Sequence, residues 1–393
     1  MDSSLPAPLT LPADHLGLYV HIPFCARKCR YCDFASQPLA ADPALPERYL
    51  AALAREAACR RAEIDGPLHS IFIGGGTPTL LSGAQLRQLW TEVIAPFPRL
   101  PDAEITLEAN PGTLSDEVLA AIAELPFTRV SLGVQSVHAD ELALLGRIHT
   151  FDEVVDAVTA LRGIAIPHIN LDLMYALPDQ TAARWAETLR QALALAPDHL
   201  SLYALILEEG TPLAAQVAAG ILPEASEEEE AAMLDASRRL LAEAGFTAYE
   251  VSNAARPGGL CRHNLGYWLG RDYLGLGAAA VSTRRGLRWR NVEEAAGYTE
   301  RLSAGRSAII YAERLSARAR LLERVMLGLR LCEGFDLAET EAACGVRLRE
   351  VAGAALAAAQ RDGLLAYNGQ VLCLTPTGYP LANMVVARLM GDE

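Results

Sequence analysis

The stretch that decides the fold runs from Leu18 to Phe34, LYVHIPFCARKCRYCDF, in which a short apolar run, Leu18 to His21, leads directly into Cys25, Cys29 and Cys32. The run reads as a β-strand, and the loop after it carries three cysteines at the spacing C-x3-C-x2-C. Eight cysteines in 393 residues are too few for a disulfide scaffold. In a reducing compartment, clustered thiols point instead to metal or redox chemistry. Three thiolates suit a [4Fe–4S] cubane with one iron left open, because such a centre ordinarily takes four cysteines. Zinc would want a second C-x2-C or H-x3-H pair, which the chain lacks. Simple burial of the thiols is the remaining alternative.

Outward from this loop, strand-like runs alternate with helical periodicity. Strands are predicted at Leu18–His21, Ser70–Ile73, Glu104–Glu108, Arg129–Val134, His168–Met174 and His199–Leu205, with helices between them. Six strand–helix units imply parallel pairing and right-handed crossovers. The expected fold class is therefore α/β, a partial (β/α)6 TIM-like barrel, with ligand sites at the carboxyl ends of its strands. After an acidic helix that opens at Glu227–Glu230 the pattern changes. The expected organisation is a tail over 1–14, a barrel core over 15–245, a connecting segment over 246–305, and a small helical, winged-helix-like module over 306–393 with a turn at Asn368-Gly369. The module's helix Arg347–Arg361 is mostly alanine and valine, with little to reach a phosphate or a base edge.

Composition narrows the function. Thirty-four basic against 48 acidic side chains give a net charge of −14, which argues against nucleic acid or an anionic membrane surface as partner. No apolar run approaches the roughly 18 residues of a membrane span, and no basic region precedes an apolar one at the amino terminus, so the expected location is the cytoplasm. Cys59, Cys332, Cys344 and Cys373 lie in apolar patterns, where packing is expected. His21 and His149 are expected either to line the pocket or to serve the structure.

Polar and glycine residues gather at the predicted strand ends: Gly74, Gly75 and Gly76 in IFIGGGTPT, Glu108 in TLEANP, Gln135 in SLGVQS and Asp172 in NLDLMYALPDQT, with Arg147 in LGRIH on a helix that follows. Together with the cysteine spacing, these segments resemble the radical S-adenosylmethionine (SAM) superfamily, in its branch around the oxygen-independent coproporphyrinogen III oxidases. The resemblance covers nearly the whole chain from Leu18. It implies a [4Fe–4S] cluster on Cys25, Cys29 and Cys32 with SAM on the open iron. Gly75, Gly76 and Thr77 would surround the methionyl group, Glu108, Gln135 and Asp172 the nucleoside, and Arg147 the carboxylate, with Tyr19 nearby.

Two kinds of relative share these motifs, the oxidases themselves and the HemW-type haem chaperones. The oxidases extend the cysteine motif by a fourth cysteine, where this chain has Phe34, and carry a longer arm before the first strand. The segment His263-Asn264-Leu265-Gly266-Tyr267-Trp268 resembles the haem-associated signature of the chaperones. That resemblance implies haem as cargo near His263, Asn264, Tyr267 and Trp268, with histidine a better axial ligand than Cys261. It further implies acceptor haem proteins, membrane respiratory enzymes among them, and an electron donor for the cluster. Coproporphyrinogen oxidation is the alternative activity, and no catalytic residue is assigned.

Overall fold

Six parallel strands, β1 (Leu16–Ile22), β2 (Leu68–Gly75), β3 (Arg99–Ala109), β4 (Arg129–Gln135), β5 (His168–Tyr175) and β6 (His199–Ala204), pair in chain order. The computed structural model in which they are seen describes residues 7–391. A helix or helix pair joins each strand to the next, giving the partial α/β barrel expected from the sequence. Alternation explains the layering, since successive side chains on a strand point to opposite faces. Leu18, Val20 and Ile22 of β1, Ile71 and Ile73 of β2, and Leu171 and Leu173 of β5 pack outward on helix residues such as Leu50, Leu53, Trp185 and Leu189. The alternate positions are polar and bond across the inside of the barrel. Asn170, for instance, donates to Ser131 at 2.7 Å and to Ser201 at 3.0 Å.

The sheet does not stop at the sixth strand. On one side β8 (Asn253–Ala255) continues it antiparallel to β6, and β7 (Thr247–Ala248) pairs antiparallel to β8 at the edge. On the other, β9 (Asp272–Leu276) runs parallel to β1, followed by antiparallel β10 (Val281–Arg284), β11 (Leu287–Asn291) and β12 (Ile309–Arg314). The result is a 12-stranded sheet. The structure therefore draws the boundaries differently from the sequence. The 246–305 segment is part of the main sheet rather than a connector, and so is β12, at the start of the expected terminal module.

That module begins with helix Ala317–Gly328 and has its own core of Leu321, Val325, Leu329, Leu348, Leu372 and Val385 under a three-stranded sheet. Leu9 and Leu11 of the amino-terminal segment pack on this core, so the described part of the tail is docked. No helix among the described residues is long and apolar enough to cross a membrane.

Candidate functional site

Beyond the end of β1 the chain forms the short strand Phe24–Cys25, which pairs with Gln37–Pro38 and closes the cysteine loop. The end of β2 lies against it: Gly76 N–H donates to Ile22 O at 2.8 Å and Thr77 N–H to Phe24 O at 2.7 Å. A Cβ on Gly76 would stand 2.5 Å from Phe24 O, so only glycine allows this approach. The loop is pinned at its middle, where Arg30 donates to Leu145 O and accepts from Leu213 N–H, both at 2.9 Å. All three cysteines are half-buried. Burial pushes the Cys25 and Cys32 thiols up, and metal binding is what converts such thiols to thiolates.

Two polar side chains stand over the sulfurs. Thr77 Oγ1 lies 3.8 Å from Cys25 Sγ, and Arg147 Nη1 lies 3.6 Å from Cys29 Sγ. Asn110 joins them, donating to Thr77 Oγ1 at 2.8 Å and accepting from Arg147 at 2.5 Å. Arg147 also donates to Gly133 O at 2.6 Å, while its Nε is buried without a partner. It sits just past helix Ala139–Leu145, after the left-handed Gly146, rather than on a helix as the sequence suggested. A Cβ on Gly133 would meet Asn110, Arg147 and the Gln135 amide within 3.2 Å, so these three side chains meet where a side chain has been left out. Gln135 itself has φ +67°, an uncommon state for a non-glycine residue and one that concentrates at ligand sites.

Deeper in the barrel, Glu108 Oε2 accepts from Gly75 N–H at 2.9 Å. Asp172 accepts from Ser131 Oγ and Asn170 Nδ2, each at 2.8 Å. Burial, reinforced by the charge of Asp172, pushes Glu108 up to about 7, with the Gly75 N–H partly offsetting this. Burial likewise raises Asp172 against its hydrogen bonds. Tyr19 OH bonds His21 Nδ1 at 2.9 Å, and His21 Nε2 bonds Ala35 O at 2.8 Å, which ties the barrel interior to the cysteine loop. Taken together the mouth offers thiols, a guanidinium with an unused N–H, and two raised carboxyls with free lone pairs. These match an iron–sulfur cluster and a ligand carrying a carboxylate, an amine and hydroxyls, so the residues present fit both a [4Fe–4S] cluster and SAM.

The radical SAM superfamily pattern matches residues 19–192 and the HemN C-terminal domain pattern residues 315–381. Proteins named heme chaperone HemW are similar throughout: that of Mycobacterium tuberculosis H37Rv is 40% identical over 389 residues, covering 98% of each chain. The Lactococcus lactis protein of that name is 35% identical, covering 95% of this chain and 97% of its own. The chain belongs to the HemW family of the radical SAM superfamily. Among solved structures, the radical SAM enzyme coproporphyrinogen III oxidase (HemN) from Escherichia coli superposes with a TM-score of 0.83 at 25% identity, covering 96% of this chain and 91% of its own.

Two expectations about this HemW-family chain change with the structure. The HNLGYW segment is a helix, Arg262–Trp268, that closes the foot of the barrel at the opposite end from the cysteines. Buried Glu104 of β3 accepts from the backbone N–H groups of Arg262 and His263, both at 3.0 Å, and so caps the helix from another element. Arg129 of β4, paired with Glu104, donates to the carbonyls of Gly259 and Leu260. His263 is 2% exposed; its Nδ1 bonds Ser70 Oγ and its Nε2 bonds Tyr267 OH, each at 2.9 Å. Neither nitrogen is free for iron in this arrangement, and burial holds the ring neutral, with its pKa down at about 3. Asn264 and Trp268 are half-buried, and Trp268 packs on the terminal module. Cys59 is exposed rather than packed, while Cys344 and Cys373 are buried and Cys332 half-buried.

Sequence reasoning missed Asn110, Ser131 and Asn170. Asn110 was within reach, two residues past Glu108 at a strand end. The Glu104–Arg129 pair gave no signal, because its partner loop lies 130 or more residues away in sequence.

Proposed function

We propose that this protein is a haem chaperone that holds a [4Fe–4S] cluster on Cys25, Cys29 and Cys32, holds SAM beside it, and passes haem to acceptor haem proteins. The observation that carries the reading is the meeting of the Cys25 and Cys29 thiols, on the loop that also bears Cys32, with Thr77, Asn110 and Arg147 at the mouth of a barrel whose interior presents Glu108 and Asp172. When bound, the cluster supplies one-electron reduction of the SAM sulfonium. The chain's own part is positional. Arg147 faces the ligand carboxylate, Gly75, Gly76 and Thr77 bring backbone close to the methionyl group, and Glu108, Gln135 and Asp172 take the nucleoside, with Tyr19 and His21 bracing the loop from below. Acceptors include membrane respiratory enzymes, met transiently by a cytoplasmic protein. The reading also includes an electron donor for the cluster and excludes nucleic acid.

A second reading, oxidative decarboxylation of coproporphyrinogen III, is favoured by the close superposition on HemN. Phe34 speaks against it: the position of the oxidases' fourth cysteine holds an apolar side chain that is 65% exposed. The deciding experiment gives anaerobically reconstituted, reduced protein SAM and coproporphyrinogen III, follows protoporphyrinogen by chromatography, and titrates the same preparation with haem. Saturable haem binding without turnover supports the chaperone; multiple turnovers establish the oxidase. Cys29→Ser is expected to lose the cluster's charge-transfer absorbance and keep haem binding, and loss of both would show that the two sites are one.

A further inference from the structure

Where the edge of the main sheet meets the terminal module lies a cavity of about 630 Å³ that shares no lining residue with the cysteine loop or with helix Arg262–Trp268. Most of its lining is apolar. Leu234 and Leu241 come from helix Glu227–Glu243, Phe246 from the turn after it, and Leu374, Pro376 and Tyr379 from the module. The polar part belongs to the sheet edge, where two buried oxygens have no donor. Glu250 is 1% exposed; its Oε2 accepts from Ser252 N–H at 3.0 Å, while its Oε1 is buried without a partner. Asn253 is 4% exposed, and its Oδ1 is in the same state. Both residues line the cavity, and among the described residues Glu250 is the one carboxyl with a buried, unpartnered oxygen. Burial pushes this carboxyl up to about 7, with hydrogen bonds from Ser252 and Asn253 offsetting part of the effect. The one cation of the described lining, Arg238, is half exposed and turned to Asp235 at 3.4 Å.

We propose that this cavity binds a small organic primary ammonium with an apolar body, its N–H groups on Glu250 Oε1 and Asn253 Oδ1 and its hydrocarbon against Leu241, Phe246, Leu374 and Tyr379. An ammonium brings donors and no acceptor, which is what two unpartnered oxygens lack, whereas a carboxylate ligand would only add acceptors. A charged donor on a buried carboxylate also outweighs a neutral one. A mostly apolar lining with a few convergent polar groups, at this volume, is the ordinary make-up of a small-molecule site. An occupant would touch both sides of the seam, which Cys332 N–H to Tyr249 O at 3.0 Å and the Glu250–Leu331 bridge already join, and so would tie the module more firmly to the barrel. The site does not depend on the chaperone reading.

The test uses the full, cluster-reconstituted chain at pH 8, where Glu250 is ionised and an alkylamine keeps its proton. Three probes share one body and differ in the head group: 4-phenylbutylamine, 4-phenylbutan-1-ol and 4-phenylbutyrate. Each is titrated calorimetrically into the wild type and into Glu250→Gln, whose amide keeps the shape of the side chain and an oxygen for Ser252. Expected are saturable binding of the amine, affinity about tenfold or more lower for the alcohol, no binding of the carboxylate, and loss of the amine's advantage in Glu250→Gln. Saturating amine should also raise the unfolding temperature of the wild type and leave that of the variant unchanged. The ranking of head groups on the wild type needs no substitution, so it decides the matter even where the variant fails to fold. An amine that does not bind, or binds no better than the alcohol, overturns the proposal, as does a folded variant that keeps the amine's advantage.

Discussion

Glu108 shows how a single side chain carries the chemistry of the mouth. Its carboxyl is held near 7 in the folded chain, above its ordinary 4.5, so the folded state favours the proton. The stability this lends is complete below about pH 4.5 and is lost as pH rises towards 7. His15 and His149, both depressed to about 4, act with the opposite sign, their contribution falling away as pH drops below 6.5. A difference measurement separates them. Glu108→Gln should gain on the wild type in urea midpoint between pH 5 and pH 7.5 in the absence of ligand, while losing affinity for SAM. A midpoint difference that stays flat across this range would show that Glu108 is not the titrating group.

Among the elements, the foot helix Arg262–Trp268 depends on one carboxylate from a distant strand. Glu104→Ala would strip the acceptor from two helix N–H groups and leave Arg129 buried without its ion partner. Breaking a buried pair from one side costs about 3–5 kcal/mol. The expected outcome is a fall of that size in unfolding free energy with cluster content intact, read by denaturant titration; a change below about 1 kcal/mol would mean that the helix is held by packing alone. The six barrel strands were legible in the sequence, each predicted within a few residues of its observed span, because the apolar face of each repeats at period two. The mouth was legible for the same reason: Glu108, Gln135 and Asp172 sit where those strands end or near it. Strands β7 to β12 were not, being two to six residues long and paired by contacts that no local pattern encodes. The place of the HNLGYW segment at the foot of the barrel had no local signal, since its composition suits a loop as well as a helix seated on a polar barrel interior.

For the whole molecule, the foot helix is shared property. His263 and Tyr267 belong to the barrel interior, whereas Leu265 and Trp268 of the same seven residues belong to the terminal module's core with Leu321, Leu329 and the docked Leu9 and Leu11. Hydrogen bonds also cross: Cys332 N–H donates to Tyr249 O at 3.0 Å, and the Arg271 guanidinium donates to Leu11 O at 2.8 Å. Calorimetry of the full chain should therefore show one cooperative transition, and two resolved peaks would mean that barrel and module are energetically separate.

The pinning of Arg30 bears on how disturbance reaches the sulfurs. Its backbone ties the cysteine loop both to Leu145, at the end of helix Ala139–Leu145, and to Leu213. Leu145 and Leu213 in turn share one apolar cluster with Met174 and Leu177, on which Tyr31 of the loop also packs. The loop therefore cannot shift alone: a change that loosens this small cluster, far in sequence from any cysteine, is transmitted to the spacing of the thiols.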